Sequence, residues 1–141
     1  MHHRERITWI WLCSLVVIFT AYFTVVVLKE PADPPFLERI RDLAAALGTL
    51  GVIALVTQAL PLLTRAGREA AQPDERDRLI SQQGAARAYW VLIGGMILVG
   101  GVMPFTEPTW KVVNTAMLAI ALAEATGAVS VLLSYRRGFR A

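Results

Sequence analysis

Four strongly apolar runs alternate with polar intervals along the chain. The first, Ile7 to Leu28, reads ITWIWLCSLVVIFTAYFTVVVL and carries no charge. As a helix, its about 22 residues rise roughly 33 Å, enough to cross a bilayer's hydrocarbon core. A basic MHHRER start raises the signal-peptide alternative, but the run is longer than an ordinary signal core and no small-x-small cleavage site closes it, so it predicts an uncleaved span. Between Lys29 and Asp42 lie three prolines and alternating charges. This pattern ends one helix and starts another, with Asp33 expected as the N-cap and Pro34 or Pro35 just inside. The second span is expected from Leu43 to Leu63, with Pro61 kinking or ending it.

The longest polar interval, Gln72 to Ala88, reads QPDERDRLISQQGAARA. Pro73 and Asp74 mark a helix start, and no breaker follows until Pro104. One long helix is therefore expected, in which a polar extension over 74–87 leads directly into a third span, Ala88 to Phe105. The fourth span is expected from Val112 to Leu133, after a tight loop with Trp110 and Lys111 at the membrane boundary. Small residues mark contact faces: Thr115, Ala119, Ala123 and Gly127 recur every fourth position in span four, while the paired glycines Gly94, Gly95, Gly100 and Gly101 lie about two turns apart in span three. The fold class that follows is an all-α membrane protein, a four-transmembrane-helix bundle of two antiparallel hairpins forming a single integral membrane domain over residues 1–141.

Composition strengthens this reading. Hydrophobic residues make up 55% of the chain and the mean hydropathy is +0.50, beyond the soluble range. The net charge of +3 does not indicate nucleic acid, because the basic residues lie between spans and not on one soluble face. Ten of the fourteen lysines and arginines fall on the side of the termini and the central segment; Lys29, Arg39, Arg41 and Lys111 fall on the other. The positive-inside rule then places both termini and the central segment in the cytoplasm of an inner-membrane protein. The only histidines, His2 and His3, precede the first span, and Cys13 is the single cysteine, so no cofactor or metal site is expected.

Glu124 is the one charged residue inside a span, where an ionised carboxylate costs on the order of 3 kcal/mol. Counted from each span's midpoint at about 1.5 Å per residue, Glu124, Gln58 and Ser14 lie roughly 2, 7 and 5 Å toward the cytoplasm, so the three are expected to form one intramembrane polar site. Its chemistry is either a proton or cation site or a carboxyl group hydrogen-bonded to a neighbouring helix or to a second copy. The central segment offers a cytoplasmic docking face of Asp74, Glu75, Arg76, Asp77, Ile80 and Arg87, with Leu79 beside Ile80 as apolar anchors. Ordinary helix-start chemistry competes with that reading, since acids favour the first turn and Asp74 and Arg78 form an i,i+4 pair.

The stretch DERDRLISQQGAARAYWV resembles the D-E-R-D or D-E-R-x stretch of small bacterial and archaeal multi-span membrane proteins, in which an isoleucine and then small residues run into a span. Asp74, Glu75, Arg76, Asp77, Ile80, Ala85 and Ala86 carry the resemblance, and Gln83 and Gly84 stand where those families often have a lysine before the alanine. The resemblance implies a multi-span protein with a cytoplasmic motif and no particular activity. No metalloprotease, nucleophile-elbow or phosphate-loop motif is present, so an enzyme is not expected. The expected partners are the lipid bilayer and a second copy or membrane complex. A small proton-coupled transporter using Glu124 is the alternative.

Overall fold

The computed structural model describes residues 3–29, 35–64, 66, 68, 69, 72 and 74–137. The described residues are helical apart from the connections, with α1 over His3–Lys29, α2 over Phe36–Ala54, α3 over Glu75–Gly101 and α4 over Thr109–Arg137. Four helical segments, Arg4–Lys29, Phe36–Ala59, Glu75–Phe105 and Thr109–Arg136, are long and apolar enough to cross a membrane. That is the make-up of a multi-pass membrane protein. Two compact units divide the chain, Met1–Gln72 and Pro73–Ala141.

In the first unit α1 and α2 pack together. Leu15, Phe19 and Tyr22 are buried at helical spacing along α1, and Ala46 and Leu50 along α2. The start of α2 corrects one expectation. Asp33 lies outside the described residues, and the N-cap is Pro35, extended at φ −61° and ψ 152°, with no side-chain cap. Consecutive prolines explain the shift: a residue before proline is pushed out of helical backbone, so Pro34 is a poor first helical residue. Further along, α2 opens into a π-turn at Leu55–Ala59 and tightens into a 3₁₀ turn at Leu60–Leu63. Pro61 has no N–H to donate, so the regular ladder cannot run through it.

In the second unit α3 runs without a break from the polar interval into the third apolar run, and α3 and α4 pack extensively. Asp74 caps α3, its carboxylate accepting from the Glu75 N–H at 2.7 Å. Past Gly101 the chain turns through a 3₁₀ segment, Met103–Phe105, and the Glu107 N–H bonds the Met103 carbonyl at 2.8 Å. Pro108 precedes the first residue of α4, and Glu107 and Lys111 pair at 3.1 Å across the turn.

Candidate functional site

Glycine sets how closely α3 and α4 approach. A Cβ placed on Gly84 would stand 2.8 Å from Val131 Cγ2 and 3.1 Å from the Gly127 carbonyl oxygen. One on Gly95 would stand 2.5 Å from Ala119 Cβ, and one on Gly127 would stand 3.3 Å from Ala88 Cβ. These contacts form a seam of Gly84, Ala88 and Gly95 against Ala119, Gly127 and Val131, the kind of close backbone approach that small residues permit. Ala119 and Ala123 are buried, as is Ser130. Gly94 and Gly101, the other two residues expected to serve helix packing, face open space, since a Cβ at either meets nothing within 4 Å.

Of the paired glycines expected to pack, Gly95 meets α4, whereas Gly84 is not among the expected packing residues although the sequence carries a signal for it. Gly84, Ala88 and Gly95 are spaced four and seven apart, and the eleven residues from the first to the last make about three turns, so the three share a stripe. Gly94 is rotated about 100° from its neighbour Gly95. The seam continues toward the start of α3, where the Tyr135 hydroxyl donates to Asp77 Oδ1 at 2.5 Å. This bond joins the first turn of α3 to the last turns of α4.

The expected docking face is changed by that packing. Ile80 is only 1% exposed, the most deeply buried large side chain among the described residues, so it cannot anchor an outside partner. The physical reason is its position one turn from both Asp77 and Gly84, which meet α4. Asp77 likewise is half-buried and engaged by Tyr135. What stays outside is Asp74, Glu75, Arg76 and Arg87, all exposed, with Leu79 as the apolar side chain beside them.

The three members of the expected intramembrane polar site divide between the units, Ser14 and Gln58 in the first and Glu124 in the second. Ser14 lies on α1, and its hydroxyl donates to the Ile10 carbonyl at 2.7 Å. Gln58 lies exposed in the π-turn of the first unit. Glu124 lies near the middle of α4, exposed, in a segment of mean hydropathy 2.0. Cys13 is a free, exposed thiol on α1. Among the described residues no three His, Cys, Asp or Glu side chains gather as a metal site would require.

A charged cluster joins the end of α1 to the start of α2. Lys29 Nζ binds Asp42 Oδ2 at 2.7 Å and lies 3.8 Å from Glu38, while Arg41 stands 3.4 Å from both acids. The hydrogen bond from Lys29 holds the Asp42 carboxyl below its usual range, with the charges of Lys29 and Arg41 adding to the effect against partial desolvation.

No protein-family model, curated protein or solved structure matches this chain.

Proposed function

We propose that the chain is a small four-span protein of the bacterial inner membrane, a non-enzymatic structural or regulatory module that self-associates or joins a membrane complex. The observation that carries this reading is how the helices use their polar groups. The hydroxyls of Thr8, Ser14, Thr24, Thr49, Thr57, Thr126 and Ser134 each donate to the carbonyl four residues earlier on their own helix. Locally satisfied hydroxyls leave the helix surfaces apolar, suited to lipid or to another helix. Large apolar side chains such as Val17, Ile97 and Leu122 are exposed on those surfaces.

The arrangement in this reading is two antiparallel hairpins with both termini in the cytoplasm. It is supported within the second unit by the order of contacts along the seam, Asp77 with Tyr135, Gly84 with Val131 and Gly95 with Ala119. The division of the basic residues, ten on one side and four on the other, supports the orientation. A D-E-R-D segment at the start of α3 fits membership among the small multi-span proteins it resembles. Labelling from outside of a cysteine introduced at Ser81 overturns the orientation. The module reading is tested by the mass of the purified protein in detergent and by crosslinking in membranes: a strictly monomeric protein that crosslinks to nothing rejects it.

A second reading, a small proton-coupled transporter, rests on Glu124 within the apolar α4. In that case Glu124→Gln keeps folding and oligomer size but abolishes pH-dependent flux. Loosened assembly with no flux to lose favours the module.

A further inference from the structure

A second face of α3 lies about a third of a turn from the seam. Gln83, Arg87, Trp90, Gly94, Ile97 and Gly101 succeed one another at spacings of four and three, so they form one continuous stripe. All six are exposed, Trp90 at 72% and Ile97 at 65%. Gly94 and Gly101 leave the stripe indented on its apolar half, where no described residue lies within 4 Å of a Cβ placed on either. The chemistry is ordered along the axis: an amide and a guanidinium, then an indole, then an apolar groove.

We propose that this face binds one anionic phospholipid lengthwise. The proposal rests on the membrane-spanning reading of α3 given above. Arg87 takes the phosphate through its planar fork, and Gln83, one turn further out, adds an amide donor. Trp90 sits at the headgroup boundary, its long side chain leaning back toward Arg87 as helical side chains do. One acyl chain lies along Gly94 and Gly101, with Ile97 as its wall. From Trp90 to Gly101 the helix rises about 16 Å, close to half of the roughly 30 Å hydrocarbon core and so the depth of one leaflet.

Charge favours lipid over a second copy on this face. No acidic residue occurs on α3 between Asp77 and Gly101, and Asp77 is bonded to Tyr135. Two copies in the same membrane orientation, packed face to face, would bring Arg87 against Arg87 with no acid from α3 to offset it. A phosphate complements the same arginine.

The test uses the full-length protein released from vesicles of phosphatidylcholine and phosphatidylglycerol, with retained lipids counted by native mass spectrometry. The protein is expected to keep phosphatidylglycerol in preference to phosphatidylcholine. Arg87→Gln lowers that preference about fivefold, the equivalent of about 1 kcal/mol for one basic residue at a lipid surface, and Arg87→Lys restores part of it. Gly94→Leu, whose Cβ meets no described residue within 4 Å and whose side chain fills the groove, lowers retention of both lipids at unchanged preference and unchanged oligomeric mass. An unaltered preference in Arg87→Gln overturns the proposal. So does a Gly94→Leu protein that keeps its lipid but changes oligomeric mass, since the face then belongs to a second copy. Alkaline carbonate washing separates the two levels: a protein washed from the membrane sinks the spanning reading itself, whereas one that stays embedded with no Arg87 effect sinks only the lipid site.

Discussion

Gly94 and Gly95 are adjacent, identical in type and equally far from either end of the apolar part of α3, yet adding one methyl to each has opposite consequences. At Gly95 the new carbon arrives 2.5 Å from Ala119 Cβ, inside the 3.4–4 Å of ordinary contact. The helices must separate by about 0.9 Å or distort, and overpacking of this kind costs about 1–3 kcal/mol. At Gly94 the new carbon meets nothing, so only the backbone gain of alanine over glycine remains, about 0.5–1 kcal/mol in favour of the variant. That gain is common to both positions and cancels in the comparison. The difference in stability between Gly94→Ala and Gly95→Ala is therefore the clash itself, about 1–3 kcal/mol, or roughly 5- to 150-fold in the folded-to-unfolded ratio.

The comparison is read by titrating the purified proteins in mixed micelles with a denaturing detergent and following helicity and tryptophan emission. A third variant closes the argument. Ala119→Gly removes the opposing methyl and leaves Ala119 Cα at 3.5 Å from the added carbon, an ordinary contact. Gly95→Ala combined with Ala119→Gly should then recover most of the loss, giving a coupling energy of about 1–3 kcal/mol in a double-mutant cycle. Equal stabilities of Gly94→Ala and Gly95→Ala, or additivity in the double variant, would refute the seam.

Three further outcomes are expected. Tyr135→Phe deletes the hydroxyl bound to Asp77 and should cost about 1.5–3 kcal/mol, as a hydrogen bond to a charged group does; hydrogen exchange should rise at the start of α3 before its centre, and uniform exchange along α3 counts against the contact. Because the Asp42 carboxyl is held below its usual range, its pairing with Lys29 contributes in full above the ordinary carboxylate pKa and is lost as pH falls through the lowered value. Acidification should therefore weaken the α1–α2 connection, and Asp42→Asn should remove that component of the pH dependence; an acid response unchanged in Asp42→Asn rejects the assignment. Ile80→Ala should destabilise the protein by about 2–5 kcal/mol, as truncation of a buried side chain does, whereas Leu79→Ala should stay within about 1 kcal/mol.

The existence of the helices was legible because it depends on long apolar runs and on proline, both of which act locally. The Asp74 cap and the unbroken passage from the polar interval into the third apolar run belong to the same local chemistry. Which side of a helix meets its neighbour depends on the partner, and there the pattern is degenerate. Gly94, which shares a face with Gly101, and Gly95 offer two faces about 100° apart, and only the position of Ala119 decides between them. Ile80 misled for the same reason: a polar run around it suggests an exposed helix, but its own rotation places it with Gly84 and Asp77. At the start of α2 the N-cap is Pro35, which offers no side-chain acceptor, because a helix can begin directly after a proline held in extended backbone. Lys29 and Asp42 are thirteen positions apart and become neighbours only once α1 and α2 pack.

The unbroken course of α3 has a consequence for how this chain can vary in length. With one continuous helix from Glu75 to Gly101, rotational phase is transmitted from the motif at its start to the seam deep in its apolar half. Inserting or deleting a single residue between Ile80 and Gly95 turns one end against the other by about 100°. Ile80 would then swing outward if the glycines kept their places. Length changes of seven or eleven residues nearly restore the phase. The polar start of α3 is thus as intolerant of small length changes as a screw thread.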